Sequence, residues 1–275
     1  MHALLLYVFR IYSQHARFLH TVTREDVDEI NYMWTVRYMR VPCLGSARSF
    51  ATKSGSSSRW CARHLADEYV RKALRDGYRS RAAYKLLQMD ARFRPPLLRK
   101  DGVAVELGAA PGSWSQVLVA KGMRVIAVDM LPLEPLVGVD FVKGDFTEKT
   151  VQQDVVGRLN GELCDLLLSD VSPNRSGNKS LDEARLVALL EQSFSFARKV
   201  LRPGGSFVGK VLQGSELQPL LQLSRRFFSS GVLAKPPASR LASAEMYLVA
   251  RCFDPVAFDT VWKSGRRDDE NRGIR

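Results

Sequence analysis

Cysteine is scarce in this chain, with four residues in 275 (Cys43, Cys61, Cys164 and Cys252) and no C-x-x-C pair. That spacing offers neither a disulfide framework nor a zinc-ligand set, and it suits a reducing compartment. Histidine is absent after His64, the others being His2, His15 and His20. Proton chemistry in the rest of the chain therefore falls to carboxylates, Lys, Tyr or Cys. No apolar run reaches the roughly 18–20 residues of a membrane span, so no membrane partner is expected. Acids are missing from 1–24, which holds Arg10, Arg17 and Arg24, and from 33–53, which holds Arg37, Arg40, Ser46, Arg48 and Ser49. Arg-rich, hydroxyl-bearing and acid-poor is the composition of an organelle transit peptide. The apolar run Leu4–Phe9 competes as a secretory signal, but it is short and no clean small-residue cleavage site follows. Residues 1–53 are read as a transit peptide or disordered extension, with Met33 as a possible true start.

What is present supports one sizeable core, with 45% hydrophobic residues and a formal charge of +12. The charge is uneven: residues 54–95 hold ten Lys/Arg against four Asp/Glu. Such a cluster points to a polyanion, most simply nucleic acid; a solvated helical face is the competing reading. Ser54–Ser58 reads as a flexible link. Trp60, His64, Leu65 and Tyr69 then recur at near-helical spacing, up to a stop at Gly77. Ser80 is placed to cap a second helix with Ala82, Leu86, Met89 and Phe93 on its apolar face. Beyond Pro95-Pro96 strands and helices alternate. Strands are expected near Val103–Leu107, Val125–Val128, Val139–Val142, Leu166–Ser169, Ser206–Val211, Val232–Lys235 and Met246–Ala250. Helices are expected over 113–121, 148–159, 181–201 and 215–230. The pattern calls for an α/β fold, a doubly wound, seven-stranded, mostly parallel sheet with helices on both faces. The expected domain runs from 54 to 253, with 54–95 as its basic helical part. Residues 254–275, with five acids and five bases, read as a polar tail.

The segment GVAVELGAAPGSWSQ (102–116) places a buried strand, a small-residue turn and a helix in succession. That is the geometry by which a doubly wound sheet brings backbone close to a nucleotide-like ligand. A dinucleotide fingerprint would need G-x-G-x-x-G, but Ala110 and Pro111 break it, and Pro111 removes an N–H that a pyrophosphate would use. The turn suits a ligand without phosphates, such as S-adenosylmethionine, and a ligand-free tight turn is the alternative. Ligands of such sheets sit at the carboxyl ends of the strands. Those ends carry Asp129 (for ribose hydroxyls), Asp145-Phe146 (for the amine and flat face of an adenine), Asp170, Lys210 and Glu245. Asp129 and Asp145 as helix caps, and Trp114 as core, are the competing readings. Lys210 lies in the apolar run FVGKVLQG, where burial costs free energy without a reason.

Together these stretches resemble the FtsJ/RrmJ family of S-adenosylmethionine-dependent RNA ribose 2′-O-methyltransferases. The resemblance runs from about Ser56 to Cys252. It rests on SSSRW (56–60), RSRAAYKL (79–86), LGAAPGSWSQ (107–116), DMLPLEPLVGVDFVKGDF (129–146), LLSDVSPNRSG (168–177), LRPGGSFVGKVLQG (201–214) and SRLASAEMYLVA (239–250). It implies a catalytic Lys-Asp-Lys-Glu set at Lys85, Asp170, Lys210 and Glu245. The cofactor-binding set it implies is Gly108, Ala109, Ala110, Pro111, Gly112, Ser113, Trp114, Asp129, Met130, Asp145, Phe146 and Asp170. Departures are mild: Ser113 stands where the family often has Gly or Ala, and Val171-Ser172 replaces a Met-Ala pair.

The implied reaction makes chemical sense. A ribose hydroxyl is a poor nucleophile, so oxygen, methyl and sulfur must be aligned and a proton removed. Lys210 is the expected base, Asp170 would orient it, and Glu245 would position Lys85 or the ribose. Arg59, Arg63, Arg71, Arg75, Arg79 and Arg81 would track RNA phosphates, helped by Arg175 and Lys179. The implied substrate is a uridine in the A-loop of mitochondrial large-subunit rRNA, or the pre-ribosomal particle. The enzyme would act in the matrix as a monomer without metal. A tRNA anticodon-loop methyltransferase and a non-catalytic assembly factor are the alternatives.

Overall fold

A computed structural model describes residues 67–173, 176–240 and 242–262. Residues 1–66, with Arg59 and Arg63, and Arg175 lie outside the described residues, as do the expectations placed on them. The first helix of the described residues, α1 (Glu68–Arg75), begins because the Asp67 side chain accepts from the Tyr69 amide at 3.1 Å, and the chain turns away at Gly77 with φ 76°. Helix α2 (Ala82–Arg92) starts at Arg81 and not on a Ser80 cap as such. Ser80 Oγ instead bonds Ser113 Oγ at 2.7 Å and accepts from the Ala82 amide at 3.2 Å.

The strands are β1 (Val103–Leu107), β2 (Arg124–Asp129), β3 (Val139–Lys143), β4 (Cys164–Ser169), β5 (Leu201–Leu212), β6 (Phe228–Ala234) and β7 (Glu245–Phe253). Between them run α3 (Ser113–Ala120), α4 (Lys149–Leu159), α5 (Lys179–Val200) and α6 (Leu217–Ser224). Among the described residues the seven strands form one sheet in the order β3-β2-β1-β4-β5-β7-β6, in which β7 runs antiparallel to β5 and β6 on either side of it. Alternate residues feed two cores. Val105, Leu107, Ile126, Leu167 and Phe207 join α4, α5 and α6 on one face, while Ala104, Val125, Leu166, Val208 and Val249 join α2 and α3 on the other. Strands apolar on both sides are what a doubly covered parallel sheet requires.

Two expectations are corrected. The helix expected over 215–230 ends at Ser224, and β6 begins at Phe228. Phe227 and Phe228 are buried beside Phe194, and from Phe228 the chain pairs antiparallel with β7, Phe228 opposite Phe253 and Gly231 opposite Ala250, so strand pairing and not a regular alternation of burial ends the helix early. The second concerns the tail expected from 254: residues 255–262 form a helix, α7. Asp254 Oδ1 accepts the amides of Val256 and Ala257 at 2.9 and 3.1 Å, and Phe258 is buried with its ring 5.0 Å from that of Phe227. Arg198 pairs with Asp259 at 2.8 Å, which fastens α7 to α5. The balanced charge of the segment hid a short apolar face. No helix among the described residues is long and apolar enough to cross a membrane.

Candidate active site

The carboxyl ends of β1, β2, β4 and β5 and the start of the antiparallel β7 lie along one edge of the sheet. In the turn after β1, every available N–H is already used inside the protein. Those of Gly108 and Ala109 donate to Val128 O at 2.9 and 3.1 Å, and that of Gly112 to Ala109 O at 2.6 Å. The amide of Ala110 donates to Asp129 Oδ2 at 2.8 Å, and Pro111 has none to give. The turn is therefore no phosphate cradle, as its sequence predicts. Gly108, with φ 75°, is required by its neighbours as well: a Cβ there would lie 2.8 Å from the Val171 amide nitrogen of the loop after β4. Asp129 also accepts from the Leu131 amide at 2.8 Å on Oδ1. Both oxygens are thus oriented by backbone, and a carboxylate with about four acceptor sites retains capacity for two ribose hydroxyls. Met130, the next residue, is exposed. Asp145 Oδ1 accepts the Thr147 amide at 2.9 Å, which sets the carboxylate at the end of β3.

Strand register explains how the second half of the site assembles. Lys210 lies opposite Tyr247, and Leu212 opposite Glu245, so Lys210, Tyr247 and Glu245 share the sheet face covered by α2. Lys210 Nζ donates to Asp170 O at 2.6 Å and pairs with Asp170 Oδ1 at 3.1 Å. Lys85, from α2, pairs with Glu245 Oε1 and lies 3.3 Å from the Tyr247 hydroxyl. That hydroxyl is also 3.1 Å from Asp170 Oδ1 and 3.0 Å from Glu245 Oε1. Lys85, Glu245, Asp170 and Lys210, far apart in sequence, form one network around a fully buried phenol.

Burial, reinforced by the charges of Asp170 and Glu245 and by its hydrogen bonds to them, holds Tyr247 well above the usual phenol range. It stays neutral and donates one proton to either carboxylate. Burial opposes ionisation of Glu245, but the charge and hydrogen bond of Lys85, with Lys210 and Tyr247, outweigh it and hold the carboxyl below its usual range. Sequence reasoning missed Tyr247. The available signal was its position two residues after Glu245 on one strand, hence on the same face.

Glu106 was missed too. It is buried on β1 and accepts from Ser115 Oγ at 2.5 Å. Burial pushes it up to about 8; the Ser115 bond works against this, and the charges of Asp170 and Asp129 add to it. An acid inside VAVEL was as conspicuous as the lysine inside FVGKVLQG. Because its folded value exceeds its ordinary 4.5, the native state holds a proton that the unfolded chain has lost between those values. Stability is therefore expected to fall as pH rises from about 4.5 to about 8. Glu106→Gln should flatten that slope and raise the denaturant midpoint at pH 8, read from urea unfolding across pH; an unchanged slope would refute it.

The remaining expected contact residues are placed as follows. Trp114 is buried in the core against Tyr247, with ring centroids 5.6 Å apart, and its Nε1 donates to Ala82 O at 2.8 Å. Its ring packs against the Tyr247 ring. Phe146 is buried in the core between the sheet and α4, so its ring is no open platform for adenine. Arg79 and Arg81 are both engaged within the protein. Arg79 bonds the carbonyls of Pro111, Glu134 and Pro135, and Arg81 pairs with Asp67 and donates to Ala238 O. Arg71 and Arg75, by contrast, are exposed on α1. Ser113 is buried with its hydroxyl on Ser80, so only its backbone faces the turn. Among the described residues no group of three or more His, Cys, Asp or Glu is placed to hold a metal ion.

A sheet of this strand order with a reversed seventh strand, carrying a donor-depleted glycine turn above its first strand, is the architecture of the α/β methyltransferases. Residues 78–253 match the model of the FtsJ-like methyltransferases, and the chain belongs to that family. It is 45% identical over 202 residues to ribosomal RNA large subunit methyltransferase E of Chromobacterium violaceum, covering 72% of this chain and 98% of that protein. The enzyme of the same name from Azoarcus sp. is 47% identical over 200 residues, covering 72% and 97%. Among solved structures, a ribosomal RNA methyltransferase from Plasmodium falciparum, described as putative, superposes with TM-score 0.58 at 27% identity, covering 64% of this chain and 98% of that one.

Proposed function

We propose that this methyltransferase transfers a methyl group from S-adenosylmethionine to a ribose 2′-hydroxyl of large-subunit rRNA. The observation that carries the reading is the Lys85–Glu245–Tyr247–Asp170–Lys210 network, set beside a turn that has no N–H left for phosphate. S-adenosylmethionine supplies, when bound, an electrophilic methyl on positively charged sulfur. Asp129 fits its ribose, and the donor-depleted turn fits a cofactor without phosphates. Asp170 holds the Lys210 amine through its carbonyl and carboxylate, and to act as base the amine would first give up one proton and then take that of the hydroxyl on the freed lone pair. Asp170 and Glu245 hold the two lysines apart and in place, and Tyr247 ties the two pairs together.

The substrate reading leans on the names of the relatives and on the exposed cations of α1. Within it, a uridine of the A-loop in mitochondrial large-subunit rRNA is the target we infer, reached after import into the matrix and removal of residues before roughly position 50. The acid-poor, Arg-rich composition of 1–53 supports the import. Mapping of 2′-O-methyls in organellar rRNA and tRNA after depletion tests the target: loss from tRNA alone would refute it. Tagged protein confined to the cytosol would refute the localisation. Methyl transfer in vitro to isolated large-subunit particles, compared with naked rRNA, tests the activity itself.

Arg71→Glu and Arg75→Glu should each weaken RNA binding and lower the slope of log affinity against log salt by about 1, with cofactor affinity unchanged. Arg81→Glu should instead lower the melting midpoint, since it opposes Asp67 and gives up the bond to Ala238 O. Salt-dependent RNA titrations and thermal melts of the three variants decide the matter. A salt slope that changes only in the Arg81 variant would reverse these assignments.

A further inference from the structure

The link between α1 and α2 (residues 76–81) is stapled to the cofactor side of the cleft by bonds that a simple RNA-guiding arm would not need. Gln116 of α3 accepts the Arg79 amide at 2.8 Å and donates to Gly77 O at 3.0 Å. The Arg79 guanidinium then spreads over the turn after β1. Nη1 donates to Pro111 O at 2.9 Å and to Glu134 O at 3.1 Å, and Nη2 donates to Pro135 O at 3.2 Å. Gly112 lies directly beneath it: a Cβ there would stand 2.6 Å from Nη1 and 2.9 Å from Leu133 Cδ1. One planar cation thus joins the turn after β1 to the segment after β2, whose first residues follow Asp129.

We propose that Arg79 is a positioning residue for the cofactor cleft, a latch that holds the turn 108–112 and the segment 130–137 in register. The inference rests on reading this cleft as the S-adenosylmethionine site. The three carbonyls belong to two segments that no strand pairing connects beyond Val128 and Asp129; the Asp129 carboxylate ties them at Ala110 and Leu131, and Arg79 adds a second tie farther out, at Pro111, Glu134 and Pro135. A guanidinium supplies several N–H groups in a fixed plane, whereas an ammonium is a compact point charge. The same link leads directly into α2, which carries Lys85, so the latch also ties the catalytic lysine's helix to the cofactor turn.

The test uses the full chain and S-adenosylhomocysteine as probe, titrated by calorimetry without RNA. Arg79→Ala is expected to weaken binding by about 10- to 100-fold, as loss of charge-assisted bonds to carbonyls implies. Arg79→Lys should recover little, and millimolar methylguanidinium should restore much of the affinity of Arg79→Ala by refilling the space over Gly112. The salt slope of RNA binding should be unchanged. Unaltered S-adenosylhomocysteine affinity in Arg79→Ala would overturn the inference, and so would a reduced RNA salt slope with normal cofactor affinity. A loss that methylguanidinium fails to restore and that tracks a lowered melting midpoint would also overturn it, since Arg79 would then serve only general stability. Failure of the wild-type protein to bind the probe would overturn the cofactor reading and this inference with it; a wild type that binds while Arg79→Ala binds equally well defeats only the inference.

Discussion

Lys210→Ala is expected to reduce methyl transfer by ~10²–10⁴-fold while S-adenosylhomocysteine still binds, because it removes the general base and leaves the cofactor turn intact. Lys210 is buried on β5 with its amine held on both the carbonyl and the carboxylate of Asp170. Its amine is bonded to Asp170 and not to the 108–112 turn. Removing the amine also leaves Asp170 facing Tyr247 without its cation, so some loss of stability accompanies the loss of rate. Lys210→Met, close in volume and apolar, separates the two effects, for it fills the space without restoring a base. Single-turnover methyl transfer to large-subunit particles, with binding measured in parallel, checks the expectation. Near-normal turnover in either variant would move the base to water or Lys85 and leave only the family membership standing.

Asp129→Ala is expected to weaken cofactor affinity by about 10²-fold or more, with the rate at saturating cofactor much less affected. Its carboxylate does two things at once. It keeps acceptor sites for ribose hydroxyls, and it holds the Ala110 and Leu131 amides at 2.8 Å each. The variant therefore loses the ligand's acceptor and frees two backbone donors on opposite sides of the cleft. Asp129→Asn retains an acceptor oxygen and should lose less. A capping role alone would predict lowered stability with unaltered affinity for the folded protein, so calorimetric titration paired with thermal melts distinguishes the two.

Much of this was legible from the chain. The run VAVEL followed by GAAPG marks a buried strand and a turn too poor in donors for phosphate, and both follow from local chemistry: apolar side chains, two glycines and one proline. Asp170, Lys210 and Glu245 were legible because a charged residue at the end of, or inside, an apolar strand must have a reason to be there, whereas Lys85, on helix α2, is marked only by the family resemblance of RSRAAYKL. Composition misled in three places where the deciding contact is distant. The cationic segment 71–81 looked uniform, but Arg79 and Arg81 are spent on carbonyls and Asp67 while Arg71 and Arg75 remain exposed. Phe146 and Trp114, flat rings beside a cleft, are taken up by the two cores. The charged C-terminal segment hid Phe258, whose burial makes 255–262 part of the domain.

The sequence by itself determined the succession of strands and helices, the phosphate-free turn and the residue types that any chemistry must use. Period and local turn chemistry act within a few residues, so they can be read without the fold. Only the tertiary structure decided that Lys85, 160 positions from Glu245, pairs with it, that Tyr247 joins both pairs, and which arginines face outward. Those outcomes depend on strand order and register, which place alternate residues of β5 and β7 on the face that α2 covers. A side chain's type sets what it can do, and the packing of distant segments sets what it touches.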